Sequence, residues 1–165
     1  MKRPRTLLTG LMLALTLSAT VARETIGWVE WVRIYPGDIS IKAKIDTGAK
    51  TSSLGCDCTT TVKRNGEEWV SFSVSNDQGE TVRIERKLER IGKIKRHFGD
   101  VQKRMVIKLG ICLGNTYKET EVNLIDRGGM NYPMLIGRRF LHDTYLIDPG
   151  LTFTHMPDCK QAPRQ

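Results

Sequence analysis

Ile39-Ser40-Ile41-Lys42-Ala43-Lys44-Ile45-Asp46-Thr47-Gly48-Ala49-Lys50-Thr51-Ser52-Ser53-Leu54 is the stretch on which the reading of this chain turns. Ile39, Ile41, Ala43 and Ile45 fall on one face and Ser40, Lys42 and Lys44 on the other, the period of a half-buried strand. That strand delivers a single carboxylate, Asp46, into the small residues Thr47-Gly48-Ala49. Backbone can come close there, a common way to present a catalytic group. The triplet alone is short enough to arise by chance, so the rest of the chain has to give it meaning.

Outward from this stretch the pattern is one of short strands. Ile26 to Ile34 is rich in β-branched and aromatic residues. Tyr35-Pro36-Gly37-Asp38 turns it into the Asp46 strand. Downstream, Thr59 to Arg64 and Trp69 to Ser75 flank Asn65-Gly66, a strong hairpin signal, with Val70, Phe72 and Val74 directed inward. Asn76-Asp77-Gln78-Gly79 turns back into Thr81-Val82-Arg83-Ile84. Residues 85–104 fit either an extended strand or a basic loop. Ile107, Leu109, Ile111 and Leu113 alternate again, and Gly114-Asn115 leads into Thr120 to Ile125. Met134-Leu135-Ile136-Gly137 is a short continuous apolar run, as in a fully buried strand. Arg138 to Asp143 suits one helical turn. Tyr145 to Asp148 and Leu151 to Thr154 suggest a last hairpin around Pro149-Gly150. With no long helical period and no repeat, the class is all-β, a closed barrel or sandwich with at most one short helix.

The first 22 residues read as a secretory signal peptide: Lys2, Arg3 and Arg5, then an apolar run from Leu7 to Leu17, then small residues at Thr20-Val21-Ala22. The run is too short for a membrane span. The expected location is therefore periplasmic or secreted, with no stable membrane anchor after cleavage. Residues 23–157 form one domain of modest core, and 158–165 a loose tail. The formal net charge is +8, of which +3 lies in the leader. Between Arg83 and Lys108 ten basic residues face three acidic ones, so the basicity is local. An exported chain rarely meets nucleic acid, and no nucleic-acid partner is expected. Cys56, Cys58, Cys112 and Cys159 make an even count suited to bridges in an oxidising compartment. A Cys56–Cys58 bridge would be strained in extended backbone, so each is expected to reach Cys112 or Cys159.

Asp46-Thr47-Gly48 and the distant Leu135-Ile136-Gly137-Arg138 together resemble the retropepsin-like aspartic peptidases. In that family a strand ends in Asp-Thr-Gly-Ala and a later apolar-apolar-Gly-Arg segment packs beneath the loop. A closer resemblance is to the bacterial family labelled ATP-dependent zinc protease, linked to RimK and retropepsin-like in fold. It extends through Ile26-Gly27-Trp28, Glu30-Trp31-Val32, Ile41 to Leu54, Asp126-Arg127, Met130, Pro133 to Leu141 and Leu146 to Pro149. Gly55-Cys56-Asp57-Cys58 departs from the His-Ala that often follows the leucine in that family.

The resemblance implies a closed retropepsin-like (acid protease) barrel and peptide-bond hydrolysis by Asp46, Thr47 and Gly48. Ala49, Ile136, Gly137, Arg138 and Arg127 would support the loop, the two arginines through ion pairs. Two carboxylates must share one proton across a water in that chemistry, and this chain has one Asp-Thr-Gly, so a two-fold homodimer is implied. Asn76, Asp77, Gln78 and Gly79 are the flap candidates. Zinc and ATP enter through the label only. His97, His142 and His155 are scattered, and neither a His-Glu-x-x-His helix nor a Gly-rich phosphate loop is present, so no cofactor is expected. The alternatives are a zinc peptidase, as the label says, and a domain that binds a peptide or envelope partner without cutting it. The substrate is a peptide or protein. The basic 83–108 segment and the association of some relatives with trimming added glutamate tails suit an acidic one.

Overall fold

β-branched and aromatic residues in period two, broken by glycine and asparagine turns, give a chain that is almost entirely strand. The computed structural model describes residues 22–94, 101–126 and 131–163. The elements are β1 (Glu24–Tyr35), β2 (Ile39–Ile45), β3 (Ser52–Gly55), β4 (Asp57–Arg64), β5 (Glu67–Ser75), β6 (Thr81–Ile94), β7 (Gln102–Leu113), β8 (Thr116–Ile125), β9 (Met134–Ile136), α1 (Arg138–Leu141) and β10 (Tyr145–Thr152). Strand order β1-β2-β9-β3-β8-β7 closes on itself because β7 also pairs with β1, from Val32 opposite Leu113 to Tyr35 opposite Gly110. This is a closed six-stranded barrel, as the all-β expectation required. β4 and β5 extend from it through the first half of β6, which leaves β5 after Lys87 and joins β7 from Leu88 onward.

The inward positions are those the alternation marked. Ile39, Ile41, Ala43 and Ile45 on β2, Val70, Phe72 and Val74 on β5, and Ile107, Leu109, Ile111 and Leu113 on β7 are all buried in one core. Phe140 and Leu141 of the single-turn α1 plug the same core. The turns use the backbone the sequence demanded. Asn65 and Gly66 take positive φ (50° and 80°), which tightens the β4–β5 hairpin, and Gly37 (110°) and Asp38 (47°) turn β1 into β2. The ambiguous 85–104 segment is strand at both described ends, since β6 runs to Ile94 and β7 starts at Gln102.

Two expectations fail. Tyr145 to Thr152 is one strand parallel to β1, not a hairpin around Pro149-Gly150. β1 has a free edge here, and an irregularity between Gly27 and Val29 lets β10 follow it. Gly27 permits the approach, since a Cβ there would sit 2.3 Å from the Leu151 carbonyl oxygen. The cysteine pairing is the second failure: Cys112 bonds Cys159, with Cα atoms 5.9 Å apart, and Cys56 is free. Cys112 pairs with Tyr117 near the start of β8, whereas the Cys56 N–H donates to Ile125 at its far end. Eight residues of strand are about 26 Å, beyond the reach of any disulfide. The side chain of Cys58 lies outside what is described. The expected loose tail is held at its start, because the Asp158 N–H donates to the Gly114 carbonyl (2.8 Å) beside the disulfide. Neither Trp28 nor Trp31 belongs to the core. Trp28 is 38% exposed and meets Tyr132 edge-on, and Trp31 is half-buried against Phe153.

Candidate active site

β9 lies between β2 and β3, parallel to the first and antiparallel to the second, so the loop joining β2 to β3 must pass over the end of β9. That topology brings residues 46–51 and 136–139 together although they are ninety positions apart. The Asp46 N–H donates to the Ile136 carbonyl (2.9 Å), continuing the β2–β9 ladder by one rung. Behind the loop the Arg138 and Arg139 N–H groups donate to the Ala49 and Lys50 carbonyls (2.9 and 3.1 Å). The Gly137 N–H donates to Ser52 Oγ, a buried hydroxyl (3.1 Å). A Cβ on Gly137 would lie 2.8 Å from the Thr51 carbonyl carbon, so only glycine fits beneath the loop.

Within the loop Asp46 is half-buried and Thr47 and Gly48 are exposed. Asp46 Oδ1 accepts the N–H of Gly48 (2.8 Å) and of Ala49 (3.1 Å). Those two bonds fix the carboxylate plane against its own turn and leave Oδ2 without a hydrogen-bond partner among the described residues. Gly48 keeps this approach open, since a Cβ there would come 3.1 Å from Oδ1. Arg138 supports the loop differently from the ion pair expected of it. Its Nη1 donates to the Thr47 and Gly48 carbonyls (both 2.8 Å), clamping backbone instead of a carboxylate. Arg127 lies outside the described residues.

A cavity of about 690 Å³ borders the loop on its Ala49–Thr51 side. β6 contributes Arg90, Gly92, Lys93 and Ile94, β7 Arg104, β8 Asn123 and Ile125, β9 Leu135 and α1 Arg139. With Lys50 the lining holds five basic side chains and no acidic one. Glu121 on β8 stands outside it and holds two of them. Arg90 donates Nε and Nη2 to Glu121 (3.1 and 2.7 Å), and Arg139 Nη1 donates to the same carboxylate. These guanidinium hydrogen bonds, the one from Arg90 first, pull the Glu121 carboxyl down to about 2. The flap candidates lie elsewhere. Asn76 to Gly79 do not line this cavity; Asp77 pairs with Lys42 on the outer side of β2 (2.6 Å), and Asn76 Oδ1 caps its own turn at Gln78 and Glu80.

Sequence reading missed Glu121, Asn123 and Ser52, because their partners lie far along the chain and no local spacing announces them. Cys56 is a poor nucleophile: burial, reinforced by Asp57, pushes its thiol up to about 11. His142 pairs with Asp143 and His155 with Glu24, and His97 lies outside the described residues. Among the described residues no three His, Cys, Asp or Glu side chains stand together as metal ligands.

Residues 25–158 match the model of the RimB-like family, retropepsin-like aspartic endopeptidase RimB. A probable alpha-L-glutamate ligase of Desulfotalea psychrophila is 37% identical over 140 residues, and one of Shewanella halifaxensis 38% over 133. The matches cover 82% and 78% of this chain but only 30% and 29% of those proteins, so the ligase name describes chains about three times longer than the shared part. A crystal structure of a Legionella pneumophila protein of unknown function superimposes with a TM-score of 0.69 at 33% identity, covering 81% of this chain and 98% of that one. With the family model matched over almost the whole described chain, the chain belongs to the RimB-like family of retropepsin-like aspartic endopeptidases.

Proposed function

We propose that the chain is an aspartic-type endopeptidase that cuts acidic peptides, its dyad built from the Asp46 residues of two protomers. The observation that carries this reading is the Asp46 carboxylate, with one oxygen pinned by the Gly48 and Ala49 N–H groups and the other open, on a loop braced by Gly137 and Arg138. Across a two-fold axis the open oxygens of two such loops would face one water. Two carboxylates that close cannot both ionise, so they hold one proton between them. The ionised member takes a proton from the water as it attacks the scissile carbonyl carbon. The protonated member gives its proton to the carbonyl oxygen, leaving a gem-diol. Proton transfer to the peptide nitrogen then breaks the C–N bond. Thr47, which is exposed, would hydrogen-bond across the axis and keep the loops in register.

The basic cleft supports an acidic substrate, since five cationic side chains without an acid among them raise the local concentration of anionic peptide. The relatives named glutamate ligases point to the same chemistry from the other direction. The Cys112–Cys159 bridge, with the leader-like start, supports action outside the cytoplasm. Cleavage of a fluorogenic oligoglutamate peptide tests the reading. Asp46→Asn should abolish turnover while EDTA leaves it intact. Loss of activity with EDTA, together with survival of Asp46→Asn, would overturn it in favour of a metallopeptidase. Peptide binding without turnover in the unmodified protein would leave a binding domain.

A further inference from the structure

We propose that Glu121 is a positioning residue for substrate recognition: it stands behind the cleft and fixes the Arg90 and Arg139 guanidiniums so that both present donors to an acidic peptide. The inference rests on the acidic-peptide reading above and extends it to a residue that does not line the cleft.

On β8, Glu121, Asn123 and Ile125 share one face by the period of two, opposite buried Val122 and Leu124. Asn123 and Ile125 reach the cavity, whereas Glu121 lies one step back along the strand. From there its single carboxylate joins three elements, taking Arg90 from β6 and Arg139 from α1. Arg90 meets it with the Nε–Nη2 edge, which leaves Nη1 without a partner among the described residues. Arg139 meets it through Nη1 and keeps Nε and Nη2. Exposure follows the same order, with Arg90 and Arg139 at 44% and 40% and Glu121 at 24%. A guanidinium is a planar fork, and fixing one edge orients the other. Two such forks, held side by side, are preset for carboxylates arriving from the cleft. The Arg139 N–H also bonds the Lys50 carbonyl in the Asp46–Thr51 loop, so the same residue ties the recognition wall to the catalytic loop.

An alternative role is competition: Glu121 would occupy the arginines and have to be displaced. It predicts the opposite sign, which makes the question testable. Cleavage and binding are measured on the full chain with a glutamate-rich peptide and its isosteric Gln version. Binding is read by anisotropy with Asp46→Asn, so that it does not depend on turnover. Glu121→Gln should raise KM and Kd for the glutamate peptide about tenfold, leave kcat within about twofold, and leave the Gln peptide unchanged. Arg90→Lys, which keeps charge but loses the fork, should give the same pattern. A purely structural role would move both peptides together, and tighter glutamate binding in Glu121→Gln would mean competition; either result overturns the proposal, as does no change. If the unmodified protein does not prefer the glutamate peptide, the substrate reading fails and the role of Glu121 falls with it. If the preference holds and Glu121→Gln leaves it intact, only the Glu121 proposal fails.

Discussion

Two carboxylates sixteen residues apart have opposite fates. Glu30 on β1 is fully buried, and its oxygens take the Gly27 N–H, the Thr154 N–H and hydroxyl, and the His155 N–H. It fastens the segment after β10 to the strand it crosses. Asp46 at the end of β2 is half-buried, with Oδ1 taking two N–H groups of its own turn and Oδ2 open. Both are acids beside a barrel strand with backbone donors at hand. The difference is whether any acceptor capacity is left over. A carboxylate with every oxygen engaged is a fastening, because its removal strands the donors around it. One with an oxygen to spare, on a rigid loop at the surface, can take a proton from a water.

The largest expected effect follows from that contrast. Asp46→Asn should lower peptide hydrolysis by at least about 10²–10⁴-fold while the melting temperature hardly moves, as read by turnover and calorimetry on the same sample. Glu30→Gln should do the reverse. Replacing an acceptor-only group with an amide puts NH₂ against backbone donors, at a cost of roughly 2–4 kcal/mol in urea unfolding, with kcat of the folded fraction kept. If Glu30→Gln were neutral in stability, or Asp46→Asn strongly destabilising, the division of roles would be wrong.

Much of this was legible in the sequence, and the two acids show where legibility ended. The alternation into Asp46 is local, and so are the Asn65-Gly66 turn and the apolar run at Met134, because period and turn chemistry are set by neighbours in the chain. Asp46 could be recognised because a second motif at Gly137-Arg138 packs against it, and both motifs are continuous. Glu30 was visible as a residue but not as a fastening, since its partners Thr154 and His155 lie more than 120 positions on. Glu121 was hidden for the same reason. The Cys112–Cys159 pairing depended on which end of β8 each cysteine meets, a register that spacing does not contain. Pro149-Gly150 read as a turn because the free edge of β1, which the last strand follows, is invisible locally.

Smaller changes sharpen the comparison at the loop. Gly137→Ala forces a Cβ into the Thr51 backbone, so roughly 1–3 kcal/mol of stability should be lost. Turnover should fall with it, because the strain lands on the loop that carries Asp46. An alanine variant that keeps full activity would detach the support from the site. The smallest effect concerns pH. Glu121 is held at about 2 against roughly 4.3 in an unfolded chain, so its contribution to stability is present above about pH 4.3 and fades as pH falls towards 2. The melting temperatures of the unmodified protein and Glu121→Gln should therefore differ at pH 6 and converge towards pH 2. A gap that stays constant across that range would contradict the arginine bridge.

The central claim is that an Asp46 carboxylate needs a second one. Mixing equal amounts of unmodified and Asp46→Asn protein, allowing the protomers to exchange, and measuring peptide cleavage at constant total concentration tests it most directly. If catalysis requires both carboxylates, random pairing leaves about one quarter of the activity of the unmodified protein. A value of about one half would mean that each protomer works alone, and would contradict the shared dyad.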